Sequence, residues 1–558
     1  MARPVDIVNA YHQRTKHHLH RYARSTGQLD WANQPNPFRH YEGTDSIALY
    51  LPEMDECPLY DELFGTDPLP AAPVNQKTIS QLLYFSLAIS AWKQIRGSTP
   101  WSLRVNPSSG DLHPTETYLI SGPDAKIGTQ PAVYHYNVHA HALETRTVIP
   151  LGTWETISKH LPPAAILLGF TSIHWRESWK YGERAFRYCH HDLGHAIAAV
   201  CYSAAIMGWS TRLINAIRDS SLAALLGVFD QHGVETEHPD TLLVLWPNDA
   251  SVLHDPVEPC VDKDIAEVFR KLPWQGRPNR LSGETLKWDA IDEVSNVVQR
   301  ESPPRLSAAY STNGQPALRP MPRPQSARAV IQQRRSAVAM DGRTTLKSSL
   351  FYDMISRTMP RNAVPFGCLP WPPTVSLAIF VHRVTGLEPG LYMLIRDPAH
   401  LEPLRKSLSD DFDWAPPTGC PEDVPLLRLA IGDGRAAART VSCHQDIAAD
   451  GVFSLGMLAR FDHAFATYGA AFYTRIYWET GVIGQALYLE AEAADLQSTG
   501  IGCYFDDAMH DILGITDTSW QSLYHFTVGG PLDDPRLQTL PPYGHLTTQQ
   551  NEANSNYP

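Results

Sequence analysis

Two parts of the 558-residue chain repeat one pattern of glycines and apolar residues at the same spacing. Gly194 opens the run GHAIAAVCYSAAIMGW, and Gly227 follows 33 positions later in LLGVFD. Gly481 opens GVIGQALYLEAEAADL, and Gly514 follows 33 positions later in ILGITD. The apolar runs are typical of buried helices that pack closely at their first glycine, and a short helix and a strand follow each run. The repeat predicts a duplicated αβ unit, with chance likeness of two Ala-rich helices as the alternative.

A proline-rich stretch separates the two copies. Residues 301–326 read ESPPRLSAAYSTNGQPALRPMPRPQS, with six prolines and no apolar periodicity, which is typical of a linker or crossover. A chain of this length also exceeds what one hydrophobic core supports. We therefore predict an N-terminal wrapping segment, a first domain, a linker or crossover, a second domain and a flexible tail, over residues 1–79, 80–250, 251–324, 325–545 and 546–558.

Composition excludes several classes of partner. The net charge of -13 opposes binding to nucleic acid, and no stretch approaches the roughly 20 apolar residues of a membrane span. The first residues, MARPVDIVNAYHQRTKHHLH, lack the apolar core of a signal peptide. The eight cysteines are scattered and form no CxxC pair. We expect a cytoplasmic protein without nucleic-acid or membrane partners.

A turn rich in proline, serine and glycine precedes a strand-like segment of the first copy. Residues 104–118 read RVNPSSGDLHPTETY, and a small-residue turn with free amides can approach a flat ring closely. Alone, PSSG is also ordinary loop chemistry. With the Pro-x-Glu and Tyr that follow, the segment resembles the nitroreductase family, specifically its SagB and ThcOx-type dehydrogenases. The resemblance implies FMN as cofactor, with contacts from Arg104, Pro107, Ser108, Ser109 and Gly110.

The start of the second copy, IQQRRSAVAMDGRTTLK, is similar to the RRSxR phosphate signature of the same family. Arg334, Arg335 and Ser336 match it, whereas Val338 stands at the place of its last Arg. A guanidinium binds phosphate oxygens at two points, and a serine hydroxyl adds a third contact. The resemblance implies that these residues hold the FMN phosphate, with Arg536 after the final strand as a compensating base. Alone, RRS is also typical of a solvated charge pair at a helix start.

Gly500, Ile501 and Gly502, in STGIGCYFDD, follow the second repeat helix. In nitroreductases, the amides of the corresponding loop lie near the N5 and O4 edge of the flavin, where amide donors stabilise charge on the reduced ring. The resemblance therefore implies cofactor contacts for these three residues. A lone GIG would also serve as a helix C-cap.

Each copy keeps what the other has lost. The first copy has WSTR at residues 209–212 instead of the glycine pair, and the second has LPWPPTVS where PSSG would recur. In nitroreductase dimers the phosphate arm and glycine loop come from one subunit and the Pro-Ser turn from its partner. The resemblance thus implies one complete FMN site and one degenerate site in each chain.

Lys180 and Tyr181 begin KYGERAFRY, just before the first repeat helix. They resemble the Lys-Tyr pair with which azoline-oxidising members of the family catalyse their reaction. Oxidation by hydride transfer also needs a base for the proton that leaves, and a positioned lysine can serve. The alternative is a lysine on a solvated helix end beside a core tyrosine.

Histidines form two clusters, RTKHHLHRY and CHHDLGH. His191 and His195 stand four residues apart on one helix face, as zinc ligands do, but no HExxH motif or coordinating carboxylate accompanies them. Core or flavin-pocket histidines are favoured over a zinc site, and we predict no metal.

These observations predict an α+β fold in which two tandem nitroreductase-like domains form an intrachain pseudo-dimer, as a monomer or within a homodimer. The expected function is FMN-dependent oxidation of a small-molecule or peptidic substrate, with oxidation of a peptide azoline to an azole as the reaction of the SagB branch. The alternatives are an NAD(P)H-dependent nitro or quinone reductase and a catalytically silent pseudo-dimer that binds flavin or peptide.

Overall fold

The computed structural model describes residues 3–52, 57–65, 69–248, 257–301, 306, 316–320 and 322–546. The first half contains both strands and helices. Its strands are β1 Tyr41–Glu42, β2 Ser46–Ala48, β3 Ile89–Ile95, β4 Trp101–Arg104, β5 Thr115–Ser121, β6 Ala132–Asn137, β7 Ala142–Val148, β8 Ile166–Ser172, β9 Trp209–Ile214, β10 His238–Pro247 and β11 Arg277–Pro278. Its helices are α1 Pro4–Arg14, α2 Gln76–Tyr84, α3 Leu151–Ser158, α4 His174–Tyr181, α5 Ala185–Ile206, α6 Asp219–Leu226, α7 Lys263–Arg270 and α8 Asp289–Val297.

The second half repeats this mixture of elements. Its strands are β12 Leu346–Lys347, β13 Val375–Val381, β14 Val384–Thr385, β15 Gly390–Leu394, β16 Leu426–Ile431, β17 Phe453–Arg460, β18 Gln497–Ile501, β19 Trp520–Gly529 and β20 Leu537–Leu540. Its helices are α9 Ala327–Gln333, α10 Ser348–Ser356, α11 Leu401–Ser407, α12 Arg435–Val441, α13 Ile447–Asp450, α14 Phe461–Tyr468, α15 Tyr473–Ala493 and α16 Asp506–Leu513.

The two main sheets share one strand order. The first sheet runs β2-β7-β6-β5-β8-β10-β9, and the second runs β16-β15-β13-β17-β19-β18. All neighbours in both sheets are antiparallel. Without the added edge strand β2, the six strands of each sheet correspond one to one. The order confirms the α+β class and the duplication that the glycine spacing predicts.

The repeat helices α5 and α15 pack against each other at the centre of the molecule. A Cβ atom on Gly194 would lie 2.8 Å from the Cα atom of Gly481, and one on Gly481 would lie 2.7 Å from the Cα atom of Gly194. Only glycine at both positions lets the two backbones approach this closely. Both helices begin before the glycine that opens the apolar run, because α5 starts at Ala185 and α15 at Tyr473. The glycines mark instead the place where the helices cross.

The second glycine of each repeat ends a helix. Gly227 follows α6 with a φ of 68°, and Gly514 follows α16 with a φ of 76°. This left-handed backbone favours glycine and closes the last helical turn. The constant spacing of 33 residues therefore joins a helix crossing to a helix end in both halves.

We expect Gly481→Ala to destabilise the protein by about 1 to 3 kcal/mol, because the added methyl overlaps the α5 backbone and forces the helices apart. Urea unfolding of the purified variant measures the change. Gly152→Ala is the matched control, since Gly152 also lies in a helix and a Cβ there meets nothing within 4 Å. Equal stability of Gly481→Ala and the parent would contradict close packing at the crossing.

The N-terminal segment, predicted as residues 1–79, joins both halves. Helix α1 places His12 beside Tyr473 and Gln521 of the second half, at 3.2 and 3.1 Å. Further along, β2 extends the first sheet and α2 packs on α5. At the other end of the chain, β20 pairs with β3, so strands from the two halves form one small sheet in the order β20-β3-β4. Wrapping thus occurs at both ends.

The segment 251–324 contains more structure than the linker expected there. Residues 257–301 form α7, β11 and α8, and α8 packs on α1 and α5. Acidic and apolar residues at helical spacing, as in DAIDEVSNV, produce this helix. Most of the proline-rich stretch, and the tail after residue 546, lie outside the described residues. Among the described helices, none is both long enough and apolar enough to cross a membrane.

Candidate functional site

A cavity of about 300 Å³ lies where the two halves meet. This volume falls at the lower end of the range for small-molecule and cofactor sites. The first half supplies the Pro-Ser turn and side chains from α4 and α5, and the second supplies the glycine loop and its neighbours. The lining residues are Pro107, Ser108, Ser109, Gly110, Asp111, Tyr181, Tyr188, Asp192, His195, Ser336, Gln445, Tyr488, Thr499, Gly500, Ile501, Gly502, Cys503 and Tyr524.

The Pro-Ser turn is fixed by side chains of its own half. The Ser108 hydroxyl accepts a hydrogen bond from the His113 amide at 2.8 Å. Ser109 donates to the Asp192 carboxylate through both its amide and its hydroxyl, each at 3.1 Å. Gly110 has a φ of 66°, which a side chain would strain. Helix α5 therefore fixes the position of the turn at the cavity.

Lys180 and Tyr181 lie directly against this turn. A Cβ atom on Gly110 would be 2.8 Å from Lys180 Nζ and 2.7 Å from Tyr181 Oη. Helix α4 ends at Tyr181, and Gly182, with a φ of 55°, turns the chain into α5. Burial raises the pKa of Tyr181 well above its usual value, with Glu177 adding to the effect, so the phenol keeps its proton. The structure thus brings together the Lys-Tyr pair and the PSSG motif.

The glycine loop is held by both halves. The Gly500 amide donates to the Tyr488 hydroxyl at 3.0 Å, and that hydroxyl lies 2.9 Å from Ser336 Oγ. The Gly502 carbonyl accepts from the Tyr188 hydroxyl at 3.0 Å and from Arg184 at 3.3 Å. Tyr188 and Arg184 belong to the first half. The predicted contribution of both copies to one site therefore has a structural counterpart in this loop.

Arg334 and Arg335 stand behind the cavity wall. Arg334 donates from Nη2 to the carbonyls of Arg104 and Val105, at 3.0 and 3.1 Å, while its Nε has no hydrogen-bond partner among the described residues. Arg335 donates to the carbonyls of Gln332, Arg334 and Ser90. Burial lowers the pKa of both guanidinium groups, that of Arg335 to about 10. Arg334 and Arg335 thus connect the second copy to the strands that precede PSSG through hydrogen bonds.

Two further predicted residues lie apart from the cavity lining. Arg104 is buried and donates to the Pro37 carbonyl at 2.6 Å. Arg536 is exposed and pairs with Asp534 at 2.6 Å. Val338, at the place of the missing arginine, is also exposed. Of the predicted phosphate arm, Ser336 alone lines the cavity.

Asp192 is a site residue that the sequence analysis missed. It is the acidic residue in CHHDLGH, and a lone carboxyl in an otherwise apolar and buried helix is the signal that could have identified it. Burial raises the pKa of Asp192 to about 7, against hydrogen bonds from Ser108 and Ser109 that lower it. Burial also raises the pKa of Glu177 well above its usual range, and Asp192 adds to this effect. Two buried carboxyl groups therefore lie beside the turn, able to hold protons at neutral pH.

The raised pKa of Asp192 predicts a pH dependence of stability. The folded state keeps a proton on this group up to about pH 7, whereas the unfolded chain loses it near pH 4. Folding stability therefore falls as the pH rises through this window. We expect Asp192→Asn to reduce the loss of stability between pH 5 and pH 8 by roughly 2 kcal/mol. Urea unfolding at the two pH values measures it.

Asp289→Asn is the control for this measurement, because Asp289 is exposed on α8. It should keep the pH dependence of the parent. The same pH dependence in Asp192→Asn as in the parent would contradict a protonated carboxyl at the cavity.

The histidines of the repeat helix are core residues around this site. His195 lies 3.2 Å from the Tyr524 hydroxyl and 3.3 Å from Gln485 Oε1, and His191 stacks near the Tyr524 ring. Burial lowers the pKa of both, so they are neutral. Within the described residues, no three His, Cys, Asp or Glu side chains form a group that could hold a metal.

A second cavity, of about 520 Å³, is lined by residues of both halves. Residues 209–212 of β9 line it together with Leu369 and Pro370, which belong to the segments that stand where the glycine loop and PSSG would recur. The space of a second site is therefore retained, although neither motif is present there.

Comparisons with known proteins agree with this architecture. The Nitroreductase family matches residues 69–235 and 428–530, one region in each half. A Methanocaldococcus jannaschii protein named as a nitroreductase is 24% identical over 191 residues, covering 33% of this chain and 91% of that protein. The trifolitoxin-processing protein TfxB of Rhizobium leguminosarum bv. trifolii is 36% identical over 110 residues, 18% of this chain and 29% of TfxB.

A solved structure shares the whole fold. The crystal structure of an Anabaena variabilis protein described as a nitroreductase covers 94% of this chain and 99% of its own, with a TM-score of 0.67 and 21% sequence identity. The match therefore includes both halves and the way they are joined. The structural likeness shows the fold, and the family match in each half identifies the chain as a protein built from two tandem nitroreductase-like domains.

Proposed function

We propose that this nitroreductase-family oxidoreductase is an FMN-dependent dehydrogenase, and that its substrate is a peptide whose azoline ring is oxidised to an azole. The observation that carries the proposal is the contact of Lys180 and Tyr181 with the Gly110 turn, at a cavity built by both halves. The likeness to a trifolitoxin-processing protein supports a peptide as substrate.

The residues at the cavity fit FMN. The Gly110 turn offers a backbone surface without a side chain, and the glycine loop offers a second such surface across the cavity. Ser336 and the buried Arg334 Nε, which has no hydrogen-bond partner among the described residues, supply donors for a phosphate on the side of the second copy. Ser336 and Arg334 would hold the phosphate, Arg335 would add positive charge from behind the wall, and residues 107–110 and 500–502 would hold the ring. When bound, FMN supplies a two-electron acceptor for the hydride of the substrate.

The protein's own residues handle the proton. Lys180 Nζ lies beside Gly110 of the turn, next to the cavity lining, where its amine can take the proton that the substrate loses. The Tyr181 phenol stays protonated and can donate a hydrogen bond that orients the substrate. The buried rings of Tyr188, Tyr488 and Tyr524 form part of the cavity wall. These residues therefore supply acid-base chemistry beside an aromatic wall.

A nicotinamide-driven reductase is the second candidate, favoured by the match to 91% of a protein named as a nitroreductase. The two functions are separated by incubating FMN-loaded protein with a synthetic azoline peptide, and separately with NADPH and a nitroaromatic compound. The proposal predicts a peptide lighter by two hydrogen atoms, seen by mass spectrometry, and slow NADPH consumption. Rapid NADPH-driven nitro reduction with an unchanged peptide would favour the second candidate, and no reaction in either assay would favour a silent binding protein.

A further inference from the structure

Two cysteines from distant parts of the sequence meet at the edge of the cavity. Cys443 follows α12, and Cys503 directly follows the glycine loop and lines the cavity. Their sulfur atoms lie 2.9 Å apart, although 60 residues separate them. Both side chains are half-buried, so they are neither sealed in the core nor fully open to solvent. The pair is therefore placed for chemistry between its two sulfurs.

The backbone at Cys443 is held in an unusual conformation. Cys443 has a φ of 55° and His444 a φ of 59°, and left-handed backbone at two successive residues other than glycine is uncommon. Gln445 ties this bend to the partner cysteine, since its side chain donates to the carbonyls of Ser442 and Cys503 at 2.9 and 3.0 Å. Strained backbone of this kind persists where the surrounding fold imposes it, and it clusters at functional sites. The bend brings Cys443 to Cys503.

The surroundings make the two thiols chemically different. Hydrogen bonding with Cys443 lowers the pKa of the Cys503 thiol to about 5 despite its burial, and His17 and Arg184 add to the effect. The pKa of Cys443 is raised. At neutral pH, Cys503 is therefore a thiolate, which is the nucleophilic form, and Cys443 keeps its proton.

At two other cysteines, burial has the largest effect on the pKa of the thiol. Burial raises the pKa of Cys189 well above its usual range, and raises that of Cys420 to about 11. These thiols remain protonated and unreactive at neutral pH. Only Cys503 joins an activated thiolate to a second thiol and to the cavity among the cysteines described.

We propose that Cys443 and Cys503 form a redox-active thiol pair that closes to a disulfide by exchange with a small-molecule disulfide. The Cys503 thiolate attacks one sulfur of the small disulfide, which forms a mixed disulfide and releases one small thiolate. Cys443 then loses its proton to solvent and attacks the Cys503 sulfur, which forms the Cys443–Cys503 bond and releases the second thiolate. The protein pair is oxidised by two electrons, and the small disulfide is reduced to two thiols.

Closure would join the glycine loop covalently to the segment between α12 and α13. That bond would restrict the loop next to Gly502, whose carbonyl already accepts bonds from Arg184 and Tyr188. The cavity edge thus carries a site at which the redox state of the solution acts on the protein. This inference does not rest on bound flavin, because only protein atoms and a dissolved disulfide take part.

The test equilibrates the full chain, without FMN and again with it, in buffers of increasing ratio of oxidised to reduced glutathione. Free thiols are then blocked with N-ethylmaleimide, the protein is digested, and the peptides are identified by mass spectrometry. We expect a disulfide-linked pair of peptides containing Cys443 and Cys503, reversed by dithiothreitol, with the same result whether FMN is present or absent. Cys443→Ser should instead trap glutathione on Cys503, and Cys420→Ser should behave as the parent.

A second measurement does not require any variant to fold. At pH 6, iodoacetamide should label Cys503 of the parent at least about tenfold faster than Cys420, because only the thiolate reacts. Both Cys443 and Cys503 blocked by N-ethylmaleimide at every glutathione ratio would overturn the proposal, as would equal labelling rates of Cys503 and Cys420. Neither result would alter FMN binding or azoline oxidation, which are measured separately.

Discussion

Lys180→Ala and Tyr181→Phe, each made alone, are expected to slow oxidation of the substrate by about a hundredfold or more while the protein keeps its flavin. A general base or acid contributes roughly this factor to a rate. The structural reason for the separation is that both side chains contact the Pro-Ser turn from the α4 side, whereas the glycine loop and Ser336 belong to the other half. Stopped-flow measurement of substrate oxidation, with the flavin spectrum recorded before mixing, gives both quantities.

Lys159→Ala and Tyr50→Phe are the matched controls, since both residues are exposed and lie outside the cavity lining. They should oxidise substrate at the rate of the parent. Loss of flavin from either site variant on purification would make the Lys-Tyr pair a binding element. Parental rates in both site variants would show that the pair is structural.

The second large effect is expected from Arg334→Ala combined with Arg335→Ala. Arg334 Nε is buried and has no hydrogen-bond partner in the part of the chain that the structure describes, and charged hydrogen bonds each contribute about 1.5 to 3 kcal/mol. The double variant should therefore bind FMN about a hundredfold more weakly or worse, which corresponds to roughly 3 kcal/mol. Fluorescence titration of the FMN-free protein with FMN measures the dissociation constant.

The structure adds a second reason for this loss. Arg334 and Arg335 donate to carbonyls of residues 90, 104 and 105 in the first half, so removing them also loosens the strand that leads into the Pro-Ser turn. Arg405→Ala combined with Arg435→Ala removes two exposed arginines and should leave FMN binding unchanged. Circular dichroism and urea unfolding check that both double variants are folded. Parental affinity in the Arg334 and Arg335 double variant would place the phosphate elsewhere.

Local sequence signals predicted the duplication well. The repeat is visible in the sequence because the helix crossing requires glycine at Gly194 and Gly481. The helix end 33 residues later favours glycine at Gly227 and Gly514. The motifs PSSG and GIG are equally local, and the structure brings both to one cavity. Such features can be predicted from the sequence because they depend on the conformation of a few neighbouring residues.

Contacts between the two halves could not be predicted from the sequence in the same way. Tyr188, Tyr488 and Tyr524 line the cavity from helices and a strand far apart in sequence, where each looks like an ordinary core aromatic residue. Asp506 of the second half binds Arg184 and Arg187 of the first half at 2.9 and 2.8 Å. These contacts form only through tertiary packing, so no periodicity or motif in the sequence predicts them.

The prediction of a linker or crossover over residues 251–324 missed a helix. The prolines between residues 301 and 326 drew attention to a linker, and the prediction extended it back to residue 251. Helix α8 nevertheless forms at Asp289–Val297, because its apolar residues find α1 and α5 to pack against. A short amphipathic stretch beside a proline-rich one needs its tertiary partner before it can be recognised.

The central claim is that the two halves build one flavin site between them. The measurement that tests it most directly is the amount of FMN released per chain from protein reconstituted with excess FMN, found by absorbance and identified by chromatography. We predict about one FMN per chain, because the PSSG turn and the glycine loop meet only at the smaller cavity. Two FMN per chain would show that the larger cavity is also a flavin site, and protein that retains none after reconstitution would contradict the account.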